Sequence, residues 1–493
     1  MRHSILRRGE PRAAIFLPAA VMATALMLLI GGAGMAQAHA SEQGLVLLLP
    51  TDVYIVSGAA AVGLTVVLMA LLPEWMVEAI FRPLRLFGWR DTPAPLVAST
   101  LSALVFLGLL ASGVHGARDP MENPLTLTIW TVWWIMIVVL QGLIGDIWRW
   151  LNPWSGPLAL LRRLTGLRGG LLRLPTWLGH SPAIVTFLAF AGFLMADPAP
   201  ADPARLATVA GGYWLVTLIA GLLFGPRWMQ RGEGLSMLMR TYGRMAMFRR
   251  RGGRLRFGHP GWQILRLRMP RGGLAVFMLV ILGCGSFDGV NETFWWLAQL
   301  GLNPLEFPGR SAVVWQNVTG LLLANLLLVA VFAVTMWMGL RLSKASMELG
   351  TAFRLFAPTI LPIALGYHIA HYYTAFLVDG QYVLSFLYEV SEMFQHGHLH
   401  LGGETGHGHG PELHHIHVTT GFFNAPDSMR AIWLTQAGAV VLGHVIAVML
   451  AHCVALRVFG SNSRALLSQI PLAVFMVGYT FFGLWLLASP RGV

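Results

Sequence analysis

The sequence predicts an all-α, polytopic integral membrane protein with about ten transmembrane helices behind an N-terminal signal peptide, and three observations carry that expectation. Of its 493 residues 56% are apolar and only 11% are charged, and the mean hydropathy is +0.63, a balance too apolar for a water-soluble chain of this length. Apolar windows of ~20 residues, the length that crosses a hydrocarbon core of ~30 Å, recur along it. Arginines gather in alternate connecting segments, as the positive-inside rule requires of a chain that crosses a bilayer repeatedly.

Taken in order, the first element is a processing signal over residues 1–40. Arg2, Arg7, Arg8 and Arg12 precede an apolar run that ends in small residues. Both "AQA" (Ala36 to Ala38) and "AHA" (Ala38 to Ala40) fit as cleavage sites, and use of the first makes His39 the terminal residue, whose α-amine and imidazole can chelate copper. Residues 41–493 then form a single membrane domain. Its spans begin near Asp52, Pro95, Leu127, Ser181, Pro203, Gly272, Ser311, Ala352, Arg430 and Gln469. The second, fourth, sixth and eighth lead into "GVHGARDPMENP", "DPAPADPA", "SFDGVNETFWW" and a histidine-rich loop at 390–428, all poor in arginine or richer in acid. The opposite connections hold "FRPLRLFGWR", "WRWLNPWSGPLALLRRLTGLR" and the stretch from Arg227 to Arg271, with twelve arginines against one glutamate. The alternation predicts a bacterial inner-membrane protein with both mature termini and the histidine loop in the periplasm. It also accounts for the net charge of +12, so the lipid bilayer is the expected partner and nucleic acid is not. Cys284 and Cys453 both lie in apolar stretches, which excludes a disulfide framework and a cysteine metal site.

The histidine loop is the most concentrated chemistry in the chain. His396, His398, His400, His407, His409, His414, His415 and His417 fall within 23 residues, and no Lys or Arg occurs between Arg354 and Arg430. Neutral imidazole is a good ligand for zinc, copper and nickel. The H-x-H-x-H spacing puts three rings on one side of an extended segment, and interleaved glycines let the backbone wrap an ion. Divalent transition-metal binding is the expectation. Such tracts also serve as metal buffers, so a buffering role, metal delivery and a direct catalytic part stay open.

Histidines inside the predicted spans are fewer and cost more to place. In "LPIALGYHIAHYYTAF" His368 and His371 lie three apart on one helix face, and in "VVLGHVIAVMLAHCVAL" His444 and His452 lie eight apart, about 80° around the helix. An ionisable group in a bilayer needs a partner to offset its desolvation. These four make a candidate two-helix metal site or proton relay, with hydrogen bonding to neighbouring helices through Tyr367, Tyr372, Gln381 or Gln436 as the structural alternative. On the same side as His371, "SFDGVNETFWW" places Asp288 at the end of the sixth span. Asp288 and His371 are therefore the candidate catalytic residues, the former as acidic partner of a metal-bound water. "GDIWRWLNPW" sets Asp146, Arg149, Asn152 and Trp154 just past the third span, where Asp146 and Arg149 can pair and the tryptophan can anchor at the headgroups. "HIAH" lacks the glutamate of H-E-x-x-H, and no Walker A loop, G-x-G-x-x-G or G-x-S-x-G occurs, which excludes the common soluble enzyme classes.

"GDIWRWLNPW", "SFDGVNETFWW", "LPIALGYHIAHYYTAFLVDGQ" and the closing "GHVIAVMLAHCVALRVFGSNSRALLSQIPLAVFMVGYTFFGLWLL" resemble a family of bacterial polytopic membrane proteins, many of them labelled fenitrothion hydrolase. The resemblance covers most of the mature chain. It implies cleavage of an aryl dialkyl phosphotriester by a membrane-bound system with further membrane or periplasmic subunits. By position it carries over His371, Tyr372, Gln381, His444, His452 and Gln469, with Asp146, Arg149, Asn152, Pro153, Asp288 and Gly289. The histidine loop is a departure from that pattern. Two readings follow: a metal-dependent hydrolase of lipophilic phosphotriesters, or a subunit of one, and a transition-metal transporter or metal-handling protein that uses the intramembrane histidines.

Overall fold

The computed structural model describes residues 49–88, 92–166, 169–307, 309–396 and 418–490. Among the described residues ten apolar helices follow one another: α1 (Thr51–Leu71), α2 (Ala94–His115), α3 (Pro124–Leu143), α4 (Ser181–Ala196), α5 (Pro203–Phe224), α6 (Gly272–Val290), α7 (Val314–Leu342), α8 (Leu361–His396), α9 (Pro426–Phe459) and α10 (Asn462–Ala488). Among the described residues, all but α4 are long and apolar enough to cross a membrane. Helix α4 has 16 residues and so is about 24 Å long, short of a hydrocarbon core of ~30 Å. The expected all-α polytopic class is therefore what the chain adopts. Observed starts differ from the expected ones by up to nine residues: Leu361 against Ala352, because a separate short helix and a 3-10 turn at Ala357–Ile360 precede α8, and Asn462 against Gln469, because polar first turns such as Asn462 to Arg464 dilute a hydropathy window without breaking a helix. The signal segment 1–40 and His398, His400, His407, His409, His414, His415 and His417 lie outside the described residues, as does the ring of His396, which ends α8.

Local chemistry sets several of the starts. Pro124 and Pro203 occupy first helical positions behind Asn123 and Asp202, whose side chains accept from Leu125 N (3.0 Å) and Arg205 N (2.8 Å). A capping oxygen followed by proline satisfies or removes the amides a helix leaves open. Helix α3 departs from α geometry over Leu127–Ile137, which is π-helical. A second unit of the chain includes Thr419–Thr435, where a 3-10 turn at Gly421–Asn424 sets the Phe422 and Phe423 rings 4.4 Å apart.

Within the larger unit, residues 50–418 and 436–493, burial separates centre from periphery. About 72% of the α6 span is buried against 17% for α1 and for α2. Val53, Val56, Leu64 and Val67 of α1 and Val97, Leu101, Leu104 and Val105 of α2 are exposed, a surface whose natural solvent is lipid. Helices α6 and α8 pack on each other and, respectively, on α7 and on the π-helical part of α3. Helices α8 and α9 cross at two glycines. A Cβ at Gly366 would stand 2.4 Å from the Ala439 carbonyl oxygen, and one at Gly443 2.6 Å from that of Pro362. Without a hydrophobic drive between helices in lipid, such close backbone approach is a main source of association.

The arginine-rich connections build ordered structure of their own. Strands β1 (Leu84–Gly88), β2 (Phe248–Arg251) and β3 (Arg254–Phe257) form an antiparallel sheet in the order β1-β3-β2. The β2–β3 turn is Gly252-Gly253, both at positive φ (61° and 69°), which a tight hairpin turn of the right twist demands. Met247 N and Phe248 N donate to the Leu143 and Ile144 carbonyls, tying the hairpin to the end of α3. "GDIWRWLNPW" proves structural in its contacts. Asn152 Oδ1 accepts from Trp154 N (2.9 Å) and Ser155 N (3.1 Å), its Nδ2 donates to Ser236 Oγ (2.9 Å), and Asp146 Oδ1 accepts from Gln141 Nε2 (3.2 Å). Glu233, the one acid of the 227–271 stretch, is fully buried and accepts from Leu235 N, Ser236 N and the Tyr213 hydroxyl.

Candidate functional site

Asp288 stands two residues from the end of α6, in a helix whose other buried residues are apolar or small apart from Cys284 and Ser286. Ser286, two residues earlier and so about 160° around the helix, shares a hydrogen bond with the Tyr479 hydroxyl of α10, which turns Asp288 toward α8. There His371 Nε2 lies 3.1 Å from Asp288 Oδ2, and the Tyr372 hydroxyl donates to the same oxygen. The two side chains of the pair are 10% and 12% exposed. Because a carboxylate oxygen accepts, Nε2 of His371 carries the hydrogen, and its Nδ1 is buried with no hydrogen-bond partner.

One turn back on the same face, His368 Nε2 is 2.9 Å from the Trp134 carbonyl oxygen and donates to it. Trp134 lies in the π-helical part of α3, where the wider turn places its indole against His368, edge to face, with centroids 4.9 Å apart. Tyr367 stacks on His371 at 6.1 Å with a 10° angle between rings, and glycine makes room for it. A Cβ at Gly289 would lie 2.0 Å from the Tyr367 hydroxyl oxygen. Trp134, Cys284, Asp288, Tyr367, His368 and His371 line a cavity of ≈ 30 Å³, room for about one water. Beyond Asp288, toward the end of the bundle, Glu292 pairs with Arg310 at 2.9 Å, and Arg310 also donates to the Leu194 carbonyl.

The structure therefore brings together Asp288, His368 and His371 of the residues expected from sequence, and keeps His444 and His452 apart from them. His444 is 1% exposed, donates from Nδ1 to the Val440 carbonyl of its own helix (2.9 Å), leaves Nε2 without a partner, and faces Tyr479 at 6.3 Å. His452 Nδ1 lies 3.2 Å from Gln469 Nε2, nearer the arginine-rich end of α9. Among the described residues no three His, Cys, Asp or Glu side chains converge as a metal site. His371 and His444 each hold one nitrogen to an acceptor and leave the other open, which suits a single ligand. The described donors do not by themselves fit a metal centre. Trp134, Tyr242 and Phe187, which also surround the cavity, carry no sequence signal that separates them from ordinary core aromatics.

Fold and site define a polytopic α-helical membrane protein with a hydrogen-bonded ionisable centre buried between two of its most central helices. Against protein-family models, curated proteins and solved structures, the chain matches none.

Proposed function

We propose that this is a proton-coupled membrane transport protein in which Asp288 and His371 form the protonation site. The observation that carries the reading is the pair itself: an imidazole and a carboxylate 3.1 Å apart, with a tyrosine on the same carboxylate oxygen, inside a helix bundle. A charge in such surroundings is costly, and an isolated one far more so than a pair. Gain or loss of one proton changes the charge that the α6–α8 contact must accommodate, which would tie the packing of the two helices to protonation. The cargo expected from the histidine loop is a divalent transition metal, with the proton moving in exchange. In proteoliposomes carrying a pH-sensitive dye, zinc, copper or nickel should drive a proton flux that Asp288→Asn and His371→Gln each reduce at least tenfold. Undiminished flux in both variants would remove the reading.

A second reading rests on a different feature, the open Nδ1 of His371 beside a cavity with room for one water. An imidazole oriented by a carboxylate on one nitrogen and free on the other is the arrangement that takes a proton from an attacking water, as hydrolysis of a lipophilic phosphotriester requires. A metal would enter it only through ligands outside the described residues. Release of nitrophenol from an aryl dialkyl phosphotriester by the purified protein, lost in His371→Gln, separates this reading from transport.

A further inference from the structure

The three-stranded sheet has two unlike faces. Arg85, Arg256 and Arg249 stand directly opposite one another across β1, β3 and β2, and Arg251 opposes Arg254 one pair further along. Residues in register point to the same side, and alternation along a strand keeps Arg249 and Arg251, like Arg254 and Arg256, on that side too. Five guanidinium groups thus share one face. Leu84, Phe248, Phe257 and Leu255 occupy the other, with the two phenyl rings 4.9 Å apart, together with a single arginine, Arg250, which stands opposite Leu255. Like charges directly opposite each other in a sheet are destabilising, so this face is not explained by the fold it belongs to.

The acids that face it do not balance it. Glu78 holds Arg457 at 2.8 Å and Asp146 is close to Arg249, which itself donates to Gln263 Oε1 at 2.6 Å. Arg266 adds another cation beside Arg251, Arg256 and Arg457. At the centre of the row, Arg256 Nε is buried and has no hydrogen-bond partner. Beside the sheet lies a cleft of ≈ 140 Å³ whose walls are of two kinds: Arg244, Arg268 and Arg457 on one hand, Leu267, Met269 and Val454 on the other. Burial, with Arg249 and Arg240 nearby, lowers the Arg244 guanidinium to about 10, which marks a site that favours an added anion. The apolar wall comes from the segment just before α6 and from the last turns of α9, where both helices reach the end of their apolar spans.

We propose that this arginine face and the cleft beside it bind the phosphate of an anionic phospholipid, with its acyl chain against Leu267, Met269 and Val454. Phosphate suits guanidinium because its oxygens accept paired N–H donors, and the Nε–H of Arg256 at the centre of the row has no partner within the chain. A soluble phosphate ester would gain nothing from the apolar wall. A phospholipid gains the burial of its chain as well, and reaches the site from the leaflet that the arginine-rich end faces.

The test uses the full chain in detergent. Wild-type protein titrated with phosphatidylglycerol should retain one lipid or more by native mass spectrometry and gain several degrees in melting temperature, with no such gain from phosphatidylcholine. Arg256→Gln with Arg244→Gln should cut retention at least fivefold and abolish the selective gain, while helical content in phosphatidylcholine is unchanged. Equal gains from the two lipids in the wild type would overturn the proposal even if no variant folds. A gain from glycerol phosphate or inorganic phosphate equal to that from the lipid would overturn the lipid source and leave a soluble anion. Arg256→Lys, which keeps the charge and loses the fork, should bind the lipid more weakly than wild type.

Discussion

Asp288 and the arginine face meet the problem of charge in opposite ways. At Asp288, the carboxylate has an imidazole and a phenol on one oxygen, both on the facing helix. On the sheet, five arginines look the same way, and the nearest acids are one that holds Arg457 and one beside a single member of the row. The difference follows from the surroundings. An unpaired charge among lipid-spanning helices costs several kcal/mol and must find its partner within the chain. At the headgroup boundary the partners can be lipid, so like charges can be left facing outward. The inner centre is closed and the outer face is open, which is why the first suits a switch and the second a surface contact.

Removing the acid should give the largest effect. Asp288→Ala leaves His371 and Tyr372 without their acceptor, and loss of one partner of a buried pair costs ~3–5 kcal/mol. Both thermal stability in detergent and transport should collapse. Asp288→Asn, which preserves an acceptor oxygen, should recover most of the stability and none of the proton coupling. Proton coupling retained in Asp288→Asn would show that the charge does nothing there.

Crowding the same centre comes next. Gly289→Ala puts a methyl where the Tyr367 hydroxyl sits, and overpacking of this kind costs ~1–3 kcal/mol. Removal of that hydroxyl in the double variant Gly289→Ala with Tyr367→Phe should restore the melting temperature. A methyl tolerated without rescue would mean that the ring moves freely, and the centre would not be closed.

At the arginine face the effect should be smaller and of the opposite sign. Arg256→Gln, measured in a zwitterionic lipid, relieves like-charge repulsion on the sheet and should leave stability unchanged or slightly raised, within ~0.5 kcal/mol. A large loss would show that Arg256 is held by the chain itself, as Asp288 is.

At neutral pH His180, just before α4, should contribute no effect of this kind, and what is expected of it is a pH dependence. Its imidazole is held down to about 4 from 6.5 by burial and by Arg231, Arg271, Arg240 and Arg244. The folded state therefore disfavours the proton that the unfolded chain takes up below about 6.5. Stability should fall as pH drops from about 6.5 toward about 4. His180→Gln should flatten that slope. An identical slope in the variant would assign the acid sensitivity to other groups.

The helices were legible because hydropathy is a local property: residues such as Ala94 to His115 or Gly272 to Val290 declare themselves within one window. The starts were legible only to within a few turns, since caps such as Asn123 and Asp202 act through backbone geometry that composition does not record. Of the candidate site, the partners Asp288 and His371 were readable as ionisable groups on one side of an apolar chain. Their meeting was not, because α6 and α8 are joined by seventy residues and their mutual rotation depends on packing. His444 and His452 looked equivalent to His371 by the same reading, yet the structure gives them a backbone carbonyl and a glutamine.

The sequence by itself determined that this protein is built of apolar helices, where those helices run, that arginine gathers at one end of them, and which few ionisable side chains must be accommodated inside. Those properties depend on residues close together in the chain. Only the tertiary structure decided that Ser286 turns Asp288 toward His371, that Gly289 admits Tyr367, that Gly366 and Gly443 let α8 and α9 touch, and that five arginines from three strands share one face. Each of these is a contact between segments distant in sequence, fixed by the rotation and register of elements packed against one another, and no single segment carries the information to set it.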